Sequence, residues 1–336
     1  MKLATSPSIL AIEGLLILTN SKMNRISFFL LSLLLFFNSA EAQDVGFSSF
    51  FRPGMRLGAM YIPKSDVGKS ETAEMLHVRS GFIIPLGGGA SLNLKKLKVE
   101  AKQSFLNINI GYRKNDWSVL ANSNQMTNFS IGYTGVKVGL GKGIWAYSGN
   151  VGFIRDINSE SISPFALAGL LKIKVKGLNK QNFFGGAVAY NGKRPLIVPI
   201  IGWRRKIAKK THLTALLPIQ VDITTKLSKS VKLSFLNTVN GFANQTENNF
   251  LNQERNLLQT FGGLKHSLIF NWRVSKSVRF LLEGGSFSIA NFQLFDEGRD
   301  NRLLKSEANF IPFASFSARI NFGKSLIGSQ LFGNDG

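Results

Sequence analysis

The sequence has no cysteine, three histidines and nine prolines in 336 residues, and its 19 acidic side chains are outnumbered by 41 lysines and arginines. Without cysteine there is no disulfide scaffold, no thiolate-held zinc, no thiol nucleophile and no residue to carry a lipoprotein anchor. The histidines (His77, His212 and His266) are dispersed and form no H-E-x-x-H, so no metal site is expected, and nothing in the pattern calls for a cofactor. No apolar run reaches the ~18 residues of a membrane-spanning helix. The scarcity of acid leaves a formal charge of +22, yet 44% of residues are apolar, which excludes a disordered polybasic chain.

What is present begins with an export signal. From Met23 the chain reads MNRISFFLLSLLLFFNSAEAQ, in which Arg25 is a positive n-region, Ile26–Phe37 an apolar core and Ala40-Glu41-Ala42 a small-x-small cleavage site. Residues 1–22 are then an N-terminal extension, 23–42 a signal peptide and 43–336 a single domain, with Met1 and Met23 both open as the start. An exported chain does not meet the genome, so the positive charge is not read as a nucleic-acid footprint.

Beyond Gln43 the apolar residues alternate with period two, the signature of strands with one apolar face. Leu106, Ile108, Ile110 and Tyr112 interleave with Asn107, Asn109, Gly111 and Arg113. Leu171, Ile173 and Val175 alternate with lysines, as do Val231, Leu233 and Phe235 with Lys232 and Ser234. Leu264, Leu268, Phe270, Trp272 and Val274 share one face, and Ala314 to Phe322 repeats the pattern. Turns are expected at Gly87-Gly88-Gly89, Asn115-Asp116, Gly141-Lys142-Gly143, Asn191-Gly192 and Ser228-Lys229-Ser230. Phase flips at Gly135 and at Gly284-Gly285 suggest bulges. Loop-rich stretches fall at residues 65–71, 156–163, 244–255 and 296–305, the last two being candidate extracellular loops.

Long alternating strands, export and 11% aromatic residues predict an all-β fold, an antiparallel transmembrane β-barrel of about 12 strands, with 14 as the alternative. In lipid only a closed sheet satisfies every backbone group. Trp117, Trp145, Trp203, Trp272, Tyr61 and Tyr112 fall near expected strand ends, where interfacial aromatic girdles form. The competing architecture is a secreted or periplasmic β-sandwich that binds a glycan or protein.

Residues 194–240, RPLIVPIIGWRRKIAKKTHLTALLPIQVDITTKLSKSVKLSFLNTVN, resemble uncharacterised outer-membrane β-barrel proteins of the kind common in Bacteroidetes. The shared features are a P-x-x-G-aromatic strand (Pro199, Gly202, Trp203), a short basic turn, a strand carrying Leu217-Pro218, and a hairpin at Ser228–Ser230. The resemblance implies an integral outer-membrane barrel and transfers no catalytic residue. One departure is the stretch after Phe322, where many such barrels end on an aromatic of the last strand: either Phe332 takes that role or the recognition signal for barrel insertion is degenerate.

No catalytic constellation is visible. G-x-S-x-G is absent, His266 and Ser267 point to opposite faces of a strand, and His212 and Asp222 share a face but lie ~30 Å apart along one strand. Gly139-Leu140-Gly141-Lys142-Gly143 lacks phosphate-loop spacing and is expected as a hairpin turn. The chain is therefore not expected to be an enzyme. An outer-membrane hydrolase, the third possibility, would require His212 or His266 to meet a serine or an aspartate on a neighbouring strand. The candidate functional residues are basic: Lys137, Lys172, Lys174, Lys176, Lys232, Lys265, Arg273, Arg279 and Arg319 alternate with apolar positions and are expected in the lumen or at the rims. A charge facing lipid at midplane costs ~2–4 kcal/mol. The expectation is an envelope structural protein or a passive conduit with a basic, anion-favouring lumen. Its partners would be outer-membrane lipid, lipopolysaccharide, the barrel-assembly machinery and, through the lumen, a small anionic solute.

Overall fold

The computed structural model describes residues 53–322, apart from 69–70, 94–97, 121, 140–142, 160, 177–179, 191–194, 251–252 and 297–300. The expected extension, signal peptide and Phe332 lie outside the described residues.

Fifteen strands follow one another: β1 (Gly54–Asp66), β2 (Thr72–Asn93), β3 (Lys98–Trp117), β4 (Asn124–Gly139), β5 (Gly143–Asp156), β6 (Ile162–Val175), β7 (Lys180–Tyr190), β8 (Pro195–Ala208), β9 (Thr211–Leu217), β10 (Gln220–Lys226), β11 (Val231–Phe250), β12 (Gln253–Arg273), β13 (Val278–Asp296), β14 (Arg302–Ala308) and β15 (Ile311–Asn321). Neighbours from β1 to β13 pair antiparallel in chain order, β13 pairs with β15, and β15 returns to β1, which closes the sheet. β14 lies against residues 290–295 of β13 and β15 against residues 278–287, so the two share one position and the barrel has 14 staves. The ladder closes from β15 onto β1; β9 and β10 are shorter than β8 and β11, so residues 195–200 of β8 and 240–250 of β11 are paired in the sheet on one side alone.

The count of about 12 is corrected to 14. Residues 211–226, read as one strand carrying Leu-Pro, are two: the chain reverses at Pro218-Ile219, and β9 pairs with β10 from Thr211↔Thr225 to Leu216↔Gln220. Other expected punctuation moves as well. Gly87–Gly89 lies inside β2 beside a slip in register, and Asn115-Asp116 lies inside β3. Residues 244–255 are mostly the tip of the β11–β12 hairpin rather than a loop.

The expected bulge at Gly135 does not exist, because β4 runs in unbroken register with both neighbours. The apolar pattern changes sides there because the interior itself turns apolar: Val136 packs with Phe105, Ile144, Ile173 and Phe183. Gly135 keeps room for the Tyr147 ring, which would stand about 2.4 Å from an added Cβ. Gly284 and Gly285 are likewise in register, and the bulge falls beyond them, at Ile289.

Both ends of the described chain lie at one end of the barrel, with Gly54 opposite Asn321. The β4–β5, β10–β11 and β12–β13 connections share this terminal end, while the β1–β2, β3–β4 and β5–β6 connections share the loop end. Directly paired residues face the same side. Val151, Ile197, Leu268 and Leu282 are each more than half exposed, whereas Phe105, Met126, Lys265 and Ile269 on the other face are buried. The polarity is thus inverted relative to a water-soluble sandwich, with an apolar outer belt around a mixed interior. Trp145, Trp203 and Trp272 lie on the outer face toward the terminal end, and Tyr61, whose hydroxyl donates to Glu74 at 2.8 Å, toward the loop end. Trp117 is a correction to the girdle: it points inward and is 3% exposed, against Phe292 at 5.5 Å.

Placing arginine at Val151, midway along the belt, is expected to lower stability in lipid by ~2–4 kcal/mol, and at Val175, near the rim, by ~0–1 kcal/mol. Urea unfolding in phospholipid vesicles reads both, and equal costs at the two positions would contradict a lipid-facing belt.

Candidate functional site

Toward the loop end the interior is filled. Phe261 packs against Phe242, Phe287 and Phe292 with centroids 4.7–5.5 Å apart, and Phe287 against Phe313 at 5.2 Å. Opposite walls also join by polar contacts. Asn124 on β4 donates to Gln259 on β12 at 3.0 Å, and Thr246 on β11 donates to Asp156 on β5 at 2.5 Å. The Arg113 guanidinium stands 4.2 Å from the Phe242 ring centre. The cavity left among Ile62, Met75, Trp117, Phe242 and Phe261 is about 10 Å³, room for roughly one water.

Toward the terminal end the interior divides. One wall carries the apolar cluster around Phe105 and Ile173. The other carries a row of arginines in direct cross-strand register, Arg273 on β12, Arg279 on β13, Arg319 on β15 and Arg56 on β1. His77 and Arg113 are paired in register on the same inner face, next to Arg79. Above the row, Lys265 binds Glu283 at 2.7 Å, with both side chains almost wholly buried, and its ammonium lies 4.6 Å from the Phe313 ring centre.

The nine basic candidates therefore separate. Lys232, Lys265, Arg273, Arg279 and Arg319 face the interior. Lys137, Lys172 and Lys174 face outward at the terminal rim, where the Lys172 ammonium sits 5.0 Å from the Trp145 ring centre and that of Lys174 5.6 Å from Phe184. Lys176 follows β6 at the same rim. Arg56, Arg79 and Arg113, which are not among the nine, also face the interior, each at the alternate position of its strand.

The histidines change most. His212 and Asp222 are not on one strand: they face inward on the paired strands β9 and β10, with His212 opposite Thr224 and Asp222 opposite Thr214. Thr224 donates to the Asp222 carboxylate at 3.0 Å and also meets Ser234 at 2.8 Å. His266 faces outward, and there it meets Asn237 on β11 and Ser288 on β13. These partners are 29 and 22 residues away in the chain, so no local motif announces them.

With the closed barrel and its two faces in view, comparison with known proteins places the chain. A family model described as a domain of unknown function, DUF6268, matches residues 38–323. The chain belongs to this family. No curated protein matches it. Among solved structures it is similar to the β domain of the Bordetella autotransporter Brka, at 10% identity over 81% of this chain and 99% of that one, with a TM-score of 0.32. It is also similar to the transport unit of the autotransporter AIDA-I from Escherichia coli (10% identity, 90% and 98%, TM-score 0.34) and to the translocator domain of NalP from Neisseria meningitidis (8%, 94% and 100%, TM-score 0.31). The DUF6268 barrel is defined by its own closed register rather than by these likenesses.

Removing one member of the buried Lys265–Glu283 pair leaves the other charge stranded. Lys265→Ala is expected to cost about 3–5 kcal/mol, while the double change Lys265→Met with Glu283→Leu returns most of that loss. Urea midpoints of the folded barrel measure both, and additive losses in the double variant would contradict the coupling.

Proposed function

We propose that the protein is an integral outer-membrane β-barrel whose interior is a packed core, so that it serves the envelope as a membrane-embedded body with an active surface rather than as an open conduit. The observation that carries this is the pairing of inverted polarity with a filled interior: apolar side chains ring the outside, while Asn124–Gln259, Thr246–Asp156 and the Phe261 cluster join the walls inside. An apolar belt on a closed antiparallel sheet is stable only in an apolar solvent. The export signal expected at residues 23–42 supports the same compartment. An even number of staves puts both ends of the described chain on one side, which makes the terminal end periplasmic and the loop end external.

On this placement the lipid is the principal partner. Lys137, Lys172 and Lys174, set beside Trp145 on the outer wall, suit the phosphate level of the inner leaflet, where ammonium groups gain charge-assisted hydrogen bonds while their stems lie along apolar surface. Lipopolysaccharide would meet the opposite, loop end. The barrel-assembly machinery is the partner proposed for the barrel's insertion. The inward arginines stand in one row with no carboxylate among them, and an anionic solute would have to displace packed side chains to pass the interior.

Two measurements test the proposal. The outer-membrane fraction, run unboiled and boiled, is expected to show a heat-dependent shift in mobility; a soluble periplasmic protein without a shift overturns the membrane placement. In planar bilayers the purified barrel is expected to give no discrete ion steps, whereas anion-selective steps would restore the conduit and overturn the packed interior.

A further inference from the structure

Three polar side chains meet on the outer face of β11, β12 and β13, where a lipid-facing wall gains nothing from polarity. His266 Nδ1 lies 2.5 Å from Asn237 Oδ1, and His266 Nε2 lies 2.6 Å from Ser288 Oγ. The side is set by the neighbours: Lys265 and Ser267 are buried in the interior, and Leu268 is exposed outside. An amide oxygen only accepts, so the imidazole proton sits on Nδ1 and Nε2 turns its lone pair to the serine hydroxyl. That is the tautomer a general base needs, held by a third group that orients it.

The backbone beside the serine is also unusual. Ile289 has φ 53°, the only non-glycine residue with positive φ among the described residues. A β-branched side chain there is strained, and such strain gathers at functional positions. The β12–β13 register slips at this point, passing from Leu264↔Ser288 to Gly262↔Asn291. A bulge re-aims a side chain and takes backbone amides out of the ladder, and an amide beside a nucleophile is the donor an oxyanion requires.

The height on the wall matters equally. Toward the terminal end the rows next to the trio are apolar: Phe235 and Leu268, then Leu233, Phe270 and Leu282. Toward the loop end the rows past the bulge hold Gly241, Gly262 and Asn291, then Ala243, Thr260 and Gln293. The trio stands on the outer face between the apolar rows and the bulge, six residues along β12 from Trp272.

We infer that Ser288, His266 and Asn237 form a hydrolytic site for the acyl ester of a membrane lipid. The site depends on the wall facing lipid, as proposed above. Ser288 Oγ attacks the ester carbonyl carbon as its proton passes to His266 Nε2, and amides freed at the bulge meet the oxyanion. Collapse of the adduct breaks the bond to the alcohol oxygen, which takes the proton from His266 and leaves as lysolipid. Water then attacks the acyl-serine and gives a proton to His266. The fatty acid departs, and the proton returns to Ser288. Ser288 and His266 are the catalytic residues, and Asn237 positions the imidazole.

The test uses the full chain reconstituted into phosphatidylcholine vesicles, with insertion checked by the heat-dependent gel shift. The wild type is expected to release lysophosphatidylcholine and fatty acid in equal amounts and to be labelled by a fluorophosphonate probe at Ser288. Ser288→Ala and His266→Ala are expected to lower turnover by about 10³-fold or more. Asn237→Ala loses on the order of 10- to 100-fold through misplacement of the base, and Asn237→Asp, which keeps an acceptor oxygen, recovers the rate. Ser286→Ala, directly opposite His266 but not bonded to it, leaves the rate unchanged. An inserted, heat-modifiable wild type that releases no lysolipid and takes no label at Ser288 overturns the hydrolytic site and leaves the barrel intact. A protein that neither inserts nor shifts fails at the membrane placement instead. Where a variant does not fold, the labelling of the wild type decides.

Discussion

The constraint on which this molecule depends is that the backbone of a sheet surrounded by hydrocarbon has no water to bond to. Pairing must be complete within the chain, and a sheet completes it only by closing. The closure of β15 on β1 is therefore what makes an outer belt of leucine, isoleucine, valine and phenylalanine tolerable. It also explains how β14 and β15 divide one edge of β13 between them. The single strained departure, at Ile289, is conspicuous because the rest of that ladder is regular.

Closure creates an interior that must itself be filled or wetted. Here aromatic side chains and the Asn124–Gln259 and Thr246–Asp156 pairs fill it toward the loop end, and the Lys265–Glu283 ion pair lies buried above the arginine row. A charge removed from water there needs a partner at contact distance, which is why the lysine and the glutamate come as a pair. Once the core is packed, chemistry directed at something outside the protein has to happen on the wall. The Asn237–His266–Ser288 group is the place on the outer face where linked polar side chains and backbone strain coincide.

Much of the fold was legible because strand alternation is local. Lys265 against Leu264 and Ser267 against Leu268 reveal two faces from the sequence alone. Which face is inside is another matter. Lys172 and Lys174 alternate with Leu171 and Ile173 just as Lys232 alternates with Leu233, yet the first two lysines point outward and the third inward. The reason is that the interior is apolar where β6 meets Phe183, and the rim outside it is polar. The same effect produced a false bulge at Gly135. Turn residues misled for a related reason: glycines inside β2 and the Leu217-Pro218 pair are punctuation whose meaning depends on what the neighbouring strand does.

The sequence by itself determined that the chain is all-β, that its strands have one apolar and one polar face, and that no cysteine chemistry belongs to it, because composition and period-two patterning act over a few residues. Tertiary structure alone decided the number of staves, which lysines face lipid and which face the core, and the meeting of His266 with Asn237 and Ser288. Those contacts join three strands whose order is imposed by closure, and sequence distance carries no information about a neighbour reached across a ladder.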